Sequence, residues 1–197
     1  MRLLPSTAQR VFRGMSKMAS GSQLIPQGDN RFTMSTTFNK VTTGSEEWYT
    51  PPEIVHSLGQ FDLDPCFSPP SGERPWDTAL LHYSKTENGL AQTWTGRVWC
   101  NPPYGRGIDR WLSKCARHNN CIALVFARTD TAVWQEQVFT TAAGALFLSG
   151  RIKFIDCSTL KAAKHAAPAP AVLIAWGENN MESLARCGLK GALVRFR

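Results

Sequence analysis

The sequence predicts an α/β fold whose sheet is mostly parallel and ends in an antiparallel pair of strands. Three observations carry that expectation. Cys121-Ile122-Ala123-Leu124-Val125-Phe126-Ala127 is an unbroken apolar run, the pattern of a strand buried on both faces. Upstream of it and just beyond it, short apolar runs alternate with helical periodicity, the rhythm of strand–helix–strand units. Two further apolar runs, Ala145 to Leu148 and Ala171 to Trp176, then follow one another as strands.

The chain of 197 residues has the size of one domain with a core of its own. Seven tryptophans promise extensive aromatic packing. A formal charge of +7 and a pI near 9.3 favour an anionic partner over a surface that is basic only for solubility. The six cysteines show no Cys-x-x-Cys spacing and several lie in apolar runs, so neither a metal site nor a disulfide framework is expected. No stretch is apolar enough to span a bilayer, and the basic amino terminus lacks a secretory segment; the expected location is cytoplasmic.

Residues 1–44, rich in Ser, Thr, Gly and basic side chains, read as a flexible leader ahead of a folded domain over 45–197. The alternative is a basic arm that touches a phosphate backbone through Arg10, Arg13, Lys17, Arg31 and Lys40. Thr50 and Glu53 have capping-box spacing with Pro51 at the first helical position, and Ile54, Val55 and Leu58 supply one apolar face before Gly59 stops the helix. Trp48 to Pro51 is either the entry to that helix or one wall of a ligand pocket.

Phe61-Asp62-Leu63-Asp64-Pro65-Cys66 reads as a short strand with Asp64 at its end, where a carboxylate can serve a ligand or simply an Asp-Pro turn. The turn-rich residues 67–97 are expected to border the site, with helical turns over Thr78 to Leu81 and Gly89 to Trp94. Val98-Trp99-Cys100 then breaks into Asn101-Pro102-Pro103-Tyr104, because proline cannot extend a sheet ladder and holds its predecessor extended. Ile108, Trp111, Leu112 and Cys115 mark a helix running to about Arg117. Asp130 stands where it can cap a helix carrying Val133, Trp134 and Val138. The strand from Ala145 is expected to extend through Phe154, Ala171 to Trp176 is the last clear strand, and the basic tail from Arg186 is uninformative.

The turn at Asn101 suits one chemistry in particular. An exocyclic amine on an aromatic base is a poor nucleophile because its lone pair is delocalised into the ring. Acceptors at the Asn101 side-chain oxygen and the Pro102 carbonyl favour a pyramidal nitrogen, which is selective stabilisation of a transition state. Tyr104 can stack on the base. No general base is needed, in keeping with the dispersal of His56, His82, His118 and His165.

Trp99-Cys100-Asn101-Pro102-Pro103-Tyr104 resembles motif IV, the (D/N/S)-P-P-(Y/F/W) signature of S-adenosylmethionine-dependent amino-methyltransferases. Taken with Trp48-Tyr49-Thr50-Pro51, Phe61 to Cys66, Trp94-Thr95-Gly96, Gly150-Arg151-Ile152 and Phe154, the order resembles the small Dam-type DNA N6-adenine methyltransferases of phages and prophages, over roughly residues 46–177. The resemblance implies a Rossmann-like class I methyltransferase fold, S-adenosylmethionine as cofactor and double-stranded DNA as partner, with GATC as the expected site and restriction–modification or regulation as the setting. It implies that Asn101, Pro102, Pro103 and Tyr104 receive a flipped adenine. It also implies that Trp48, Tyr49, Thr50 and Pro51 line the cofactor site, and that Asp62, Asp64, Pro65 and Cys66 hold the cofactor's methionine or ribose.

Two departures stand out. No Gly-rich fingerprint follows Asp64, and the stretch between Pro65 and Cys100 is short, which leaves Asp62, Asp77 and Glu87 all eligible as the ribose-binding acid. With no separate recognition domain, sequence reading falls to residues 67–95 and 155–168, with Arg106, Arg128, Arg151, Lys153, Lys161 and Lys164 near phosphates. The competing readings are an amino-methyltransferase for RNA or a protein glutamine, and an inert DNA-binding relative.

Overall fold

A computed structural model describes residues 48–67 and 75–196; the leader and arm readings of 1–44 lie outside the described residues, as do positions 68–74 of the proposed reading loop. Among the described residues no helix is long and apolar enough to cross a membrane. Seven strands form one sheet in the order β3-β2-β4-β5-β8-β6-β9, where β2 is Leu63–Asp64, β3 Leu81–His82, β4 Val98–Cys100, β5 Cys121–Phe126, β6 Gly144–Leu148, β8 Ala171–Trp176 and β9 Gly191–Arg195. The pairs β2–β3, β2–β4 and β4–β5 are parallel. Strand β8 runs antiparallel to both β5 and β6, and β9 antiparallel to β6. A separate two-stranded ribbon joins β1 (Trp48–Tyr49) to β7 (Ile155–Asp156).

Alternation along the central strands divides the core. Trp99, Ile122, Leu124 and Leu173 face the side covered by α1 (Pro52–Ser57) and α4 (Glu178–Arg186), with Ile54, Val55, Met181 and Leu184. Val98, Cys100, Cys121, Ala123, Val125 and Ile174 face α2 (Ile108–His118), whose Trp111, Leu112 and Cys115 pack there. Trp134 and Val138 join that side from a π-helical turn, Trp134–Val138, that continues into α3, Phe139–Thr141. Because both faces of β5 are covered, its sequence carries no polar alternation.

Four expectations are corrected. The strand from Gly144 stops at Leu148, and the chain leaves the sheet so that Ile155–Asp156 can pair with β1 instead. Ala171 to Trp176 is not the last strand: α4 follows it, burying Asn180, Met181 and Leu184, and β9 then adds an exposed edge that its short, mixed sequence does not announce. Leu81 belongs to a strand, not a helical turn, because it pairs beside Leu63. Neither α1 nor the Trp134 helix has a side-chain cap, so Thr50 and Asp130 do not play that role.

Candidate active site

From β2 the chain passes to β3 on one side and then to β4 on the other, so winding reverses at the β2–β4 boundary. In open α/β sheets the crevice outside the carboxyl ends at such a boundary accepts ligands. Asp64 ends β2 almost fully buried; its Oδ2 accepts from Thr78 Oγ1 at 2.6 Å and its Oδ1 from the Cys66 backbone N at 3.0 Å. That carboxylate shapes the Pro65–Cys66 turn from beneath.

Asn101 follows β4 at the same edge. Its Nδ2 donates to Thr50 Oγ1 at 3.2 Å, joining residues 51 apart in sequence. Thr50 is therefore diverted from the capping role that its spacing to Glu53 suggests and holds the amide's orientation. The Tyr104 hydroxyl donates to Asn101 Oδ1 at 3.3 Å, while its ring stacks on Phe126 at 4.1 Å and 9° and meets Phe154 edge-on at 6.3 Å. One face of the ring is thus already covered, and the amide oxygen is engaged until another donor replaces the phenol. The Phe126 support is a feature that sequence reasoning missed, since Phe126 reads there only as the end of a buried strand.

Trp48 is exposed, whereas Tyr49 is buried, stacked with Phe67 at 5.9 Å and edge-on to Trp76 at 5.6 Å. Pro51 is buried and closes the same segment. This aromatic group stands beside the Asp64 turn, because Phe67 also meets His82, the strand partner of Asp64.

Asp62 does not join the others. It precedes β2, and its Oδ2 accepts from the Arg97 backbone N at 2.6 Å. Arg97 in turn donates through Nε to Asn180 Oδ1 at 2.7 Å, and Asn180 donates to Asn120 Oδ1 at 3.0 Å, a polar knot at the amino edge of the sheet. Asp62 precedes β2 and Asp64 ends it, so the two carboxylates serve opposite ends of that strand. Asp77 lies near α1, where its backbone oxygen is bonded by His56 Nε2 at 3.1 Å. Glu87, just past β3, accepts from both N and Oγ of Ser84 at 2.8 Å, and these bonds hold its carboxyl below the usual range. Ser84-x-x-Glu87 is the capping-box signature, a signal sequence reading could have used. The segment is fastened from below by Lys114, whose ammonium donates to the carbonyls of Gly89, Leu90 and Gln92.

The six basic candidates all leave carboxyl ends of strands. Arg106 follows β4, Arg128 follows β5, Arg151 and Lys153 follow β6, and Lys161 and Lys164 follow β7; all are exposed. A cleft of about 370 Å³ opens among Pro51, Glu53, Ile54, Gly150, Arg151, Lys153 and Lys190. Its lining includes neither Asp64 nor Asn101.

The six cysteines are free thiols, and among the described residues no cluster of three or more His, Cys, Asp or Glu can hold a metal ion. Burial pushes Cys100, next to Asn101, up to about 12, and pushes Cys115 and Cys121 well above the usual thiol range. A desolvated thiol stays protonated and is a weak nucleophile. The same burial sets an alkaline limit. Above about pH 9 the unfolded chain releases these protons while the folded chain keeps them, so stability falls as pH rises, by up to about 1.4 kcal/mol per pH unit for each thiol. Urea unfolding between pH 8 and 10.5 is expected to show that decline. The triple variant Cys100→Ala, Cys115→Ala, Cys121→Ala should flatten it, and an unchanged slope would contradict the assignment.

No curated protein and no solved structure matches the chain. A family model described as DNA N-6-adenine-methyltransferase (Dam) matches residues 36–189, a span that contains Thr50, Asp64, Asn101 and every basic candidate. The chain therefore belongs to the Dam family of DNA N6-adenine methyltransferases.

Proposed function

We propose that this chain transfers a methyl group from S-adenosylmethionine to the N6 amine of an adenine rotated out of duplex DNA, on a Rossmann-like class I methyltransferase fold. The carrying observation is the Asn101 amide, fixed by Thr50 at the end of β4 and adjoining the Asp64 turn at the winding reversal. The strand order, with an antiparallel strand set between β5 and β6, supports the fold assignment.

The donor set suits such a cofactor. Glu87 offers an exposed carboxylate past β3 for vicinal hydroxyls, Tyr49 belongs to an apolar aromatic group suited to a purine, and Asp64 rigidifies the turn between them. Of the three acids eligible from sequence, Glu87 is the one proposed for the ribose, since Asp62 serves the amino edge and Asp77 lies near α1. Trp48 and Pro51 would border this site, and Pro65 and Cys66 would form its floor. The cofactor, when bound, supplies an electrophilic methyl on a sulfonium.

The protein's part is to prepare the amine. An incoming N6 hydrogen displaces the Tyr104 hydroxyl from Asn101 Oδ1, and the Pro102 carbonyl takes the second hydrogen. Two acceptors localise the nitrogen lone pair as the amine becomes pyramidal, an interaction stronger in the transition state than in the ground state. Tyr104, propped by Phe126, stacks on the base with its remaining face. The amine loses its proton after methylation, so no buried base is required. Pro102 and Pro103 keep this turn from relaxing.

Arg106, Arg128, Arg151, Lys153, Lys161 and Lys164 are proposed to meet phosphates around the crevice. The test is methyl transfer from labelled S-adenosylmethionine offered to duplex DNA, RNA and protein in parallel, followed by mapping of modified bases in DNA from cells that express the chain. Label is expected on adenine N6 in duplex DNA, with GATC as the proposed context. A preference for protein or RNA acceptors would overturn the substrate assignment.

A further inference from the structure

The segment leaving β6 returns as a ribbon rooted beside the candidate active site. Phe154 touches Tyr104, Ile155–Asp156 pair with β1, Ile155 bridges back to Ala162, and Ala163 N donates to Phe154 O at 2.7 Å. At its tip Leu160 has φ +54° and leaves 56% of its surface exposed. A bulky side chain is strained in the left-handed region, and an exposed leucine gains no burial in return.

The turn enforces this conformation. Asp156 Oδ1 accepts from N and Oγ of Ser158 at 2.9 and 2.6 Å and from N and Oγ1 of Thr159 at 2.9 and 3.1 Å. Leu160 N donates to Asp156 O at 2.9 Å, and Asp156 N to Lys161 O at 3.0 Å. Leucine is therefore presented outward on a braced turn. Basic side chains flank it in sequence: Lys161 and Lys164 are exposed after it, and Arg151 and Lys153 are exposed before it while Ile152 and Phe154 face inward. Strain held by several hydrogen bonds at an exposed position points to use, not packing.

We propose that Leu160 is an apolar wedge that enters the DNA base stack beside the target adenine and occupies the gap that adenine leaves on rotating toward Asn101. Apolar side chains flanked by cations unstack duplex steps in this manner, with the cations held by phosphates. From the Ala163–Phe154 hydrogen bond the returning arm runs three residues back to Leu160, a reach on the order of 10 Å. That is comparable with the roughly 12 Å width of a major groove. The proposal rests on the DNA-adenine reading above.

The experiment compares wild type, Leu160→Gly and Leu160→Met on a duplex with a paired target adenine and on the same duplex with that adenine opposite an abasic site, where extrusion is easy. Glycine accepts φ +54° without strain, so Leu160→Gly should melt no lower than wild type. Its kcat/KM on the paired substrate should fall tenfold or more, its value on the abasic substrate less than twofold, and Leu160→Met should recover most of the loss. With 2-aminopurine at the target position, binding should raise emission for wild type and not for Leu160→Gly. Equal losses on both substrates, or an undiminished emission rise, would overturn the wedge alone. Wild type that methylates neither substrate would overturn the DNA-adenine reading, and the wedge with it.

Discussion

Asn101→Ala is expected to lower the single-turnover rate of adenine methylation by about 10²–10³-fold, the usual loss when one preorganised group is removed from a developing charge. The loss should fall on the chemical step, with little change in DNA affinity, because phosphate contacts and not this amide hold the duplex. Folding should barely change. Asn101 is only partly buried, and its structural bond to Thr50 is a single side-chain hydrogen bond worth about 1 kcal/mol. Tyr104→Phe provides the contrast: it removes the hydroxyl that engages Asn101 Oδ1 but keeps the ring on Phe126. Its rate should stay within a few-fold of wild type, whereas Tyr104→Ala should lose about 1–3 kcal/mol of base stacking. An Asn101→Ala enzyme with full activity would refute the role given to the amide.

Gly89→Ala is expected to be the most damaging small substitution at the cofactor side. A Cβ there would lie 2.0 Å from the Pro65 carbonyl oxygen and 2.9 Å from both Pro65 C and Cβ. These are backbone and ring atoms of the turn that follows Asp64, and they cannot swing aside. The Gly89 carbonyl meanwhile accepts from Trp94 Nε1 at 2.8 Å and Lys114 Nζ at 3.2 Å, which prevents retreat on the other side. Overpacking of this kind costs about 3 kcal/mol or more, a fall in Tm of about 10 °C for a domain of this size. Cofactor affinity should drop with it, because Glu87 and the Pro65 turn are the parts pushed apart. Gly188→Ala, at φ +72° with nothing within 4 Å, should cost about 1 kcal/mol and leave binding unchanged. Thermal melts and calorimetric titration of S-adenosylmethionine distinguish the two. Equal effects would show that the Pro65 contact is not special.

What could be read in advance followed from side-chain periodicity and from proline. β5 and β8 are long, apolar and bounded, and α2 repeats its apolar residues over three turns, so each was legible from 121–127, 171–176 and 108–117 alone. The Asn101 turn was legible because two prolines permit little else. By contrast β1, β2, β3 and β7 have two residues each, too few to carry a period, and exist only because neighbours pair with them. Local chemistry also misled where a tertiary contact outbid it: Thr50 has helix-cap spacing yet bonds Asn101.

The sequence by itself determined the alternating α/β class, the rigid amide-bearing turn, and the family resemblance that the match to residues 36–189 bears out. The tertiary structure alone decided the order of strands, and with it that residues 50, 64 and 101 meet at one edge while Arg106, Arg128, Arg151 and Lys153 leave that same edge. The reason is physical. Periodicity records which face of an element is buried, but the register of one element against another is set by long-range packing that no local pattern contains.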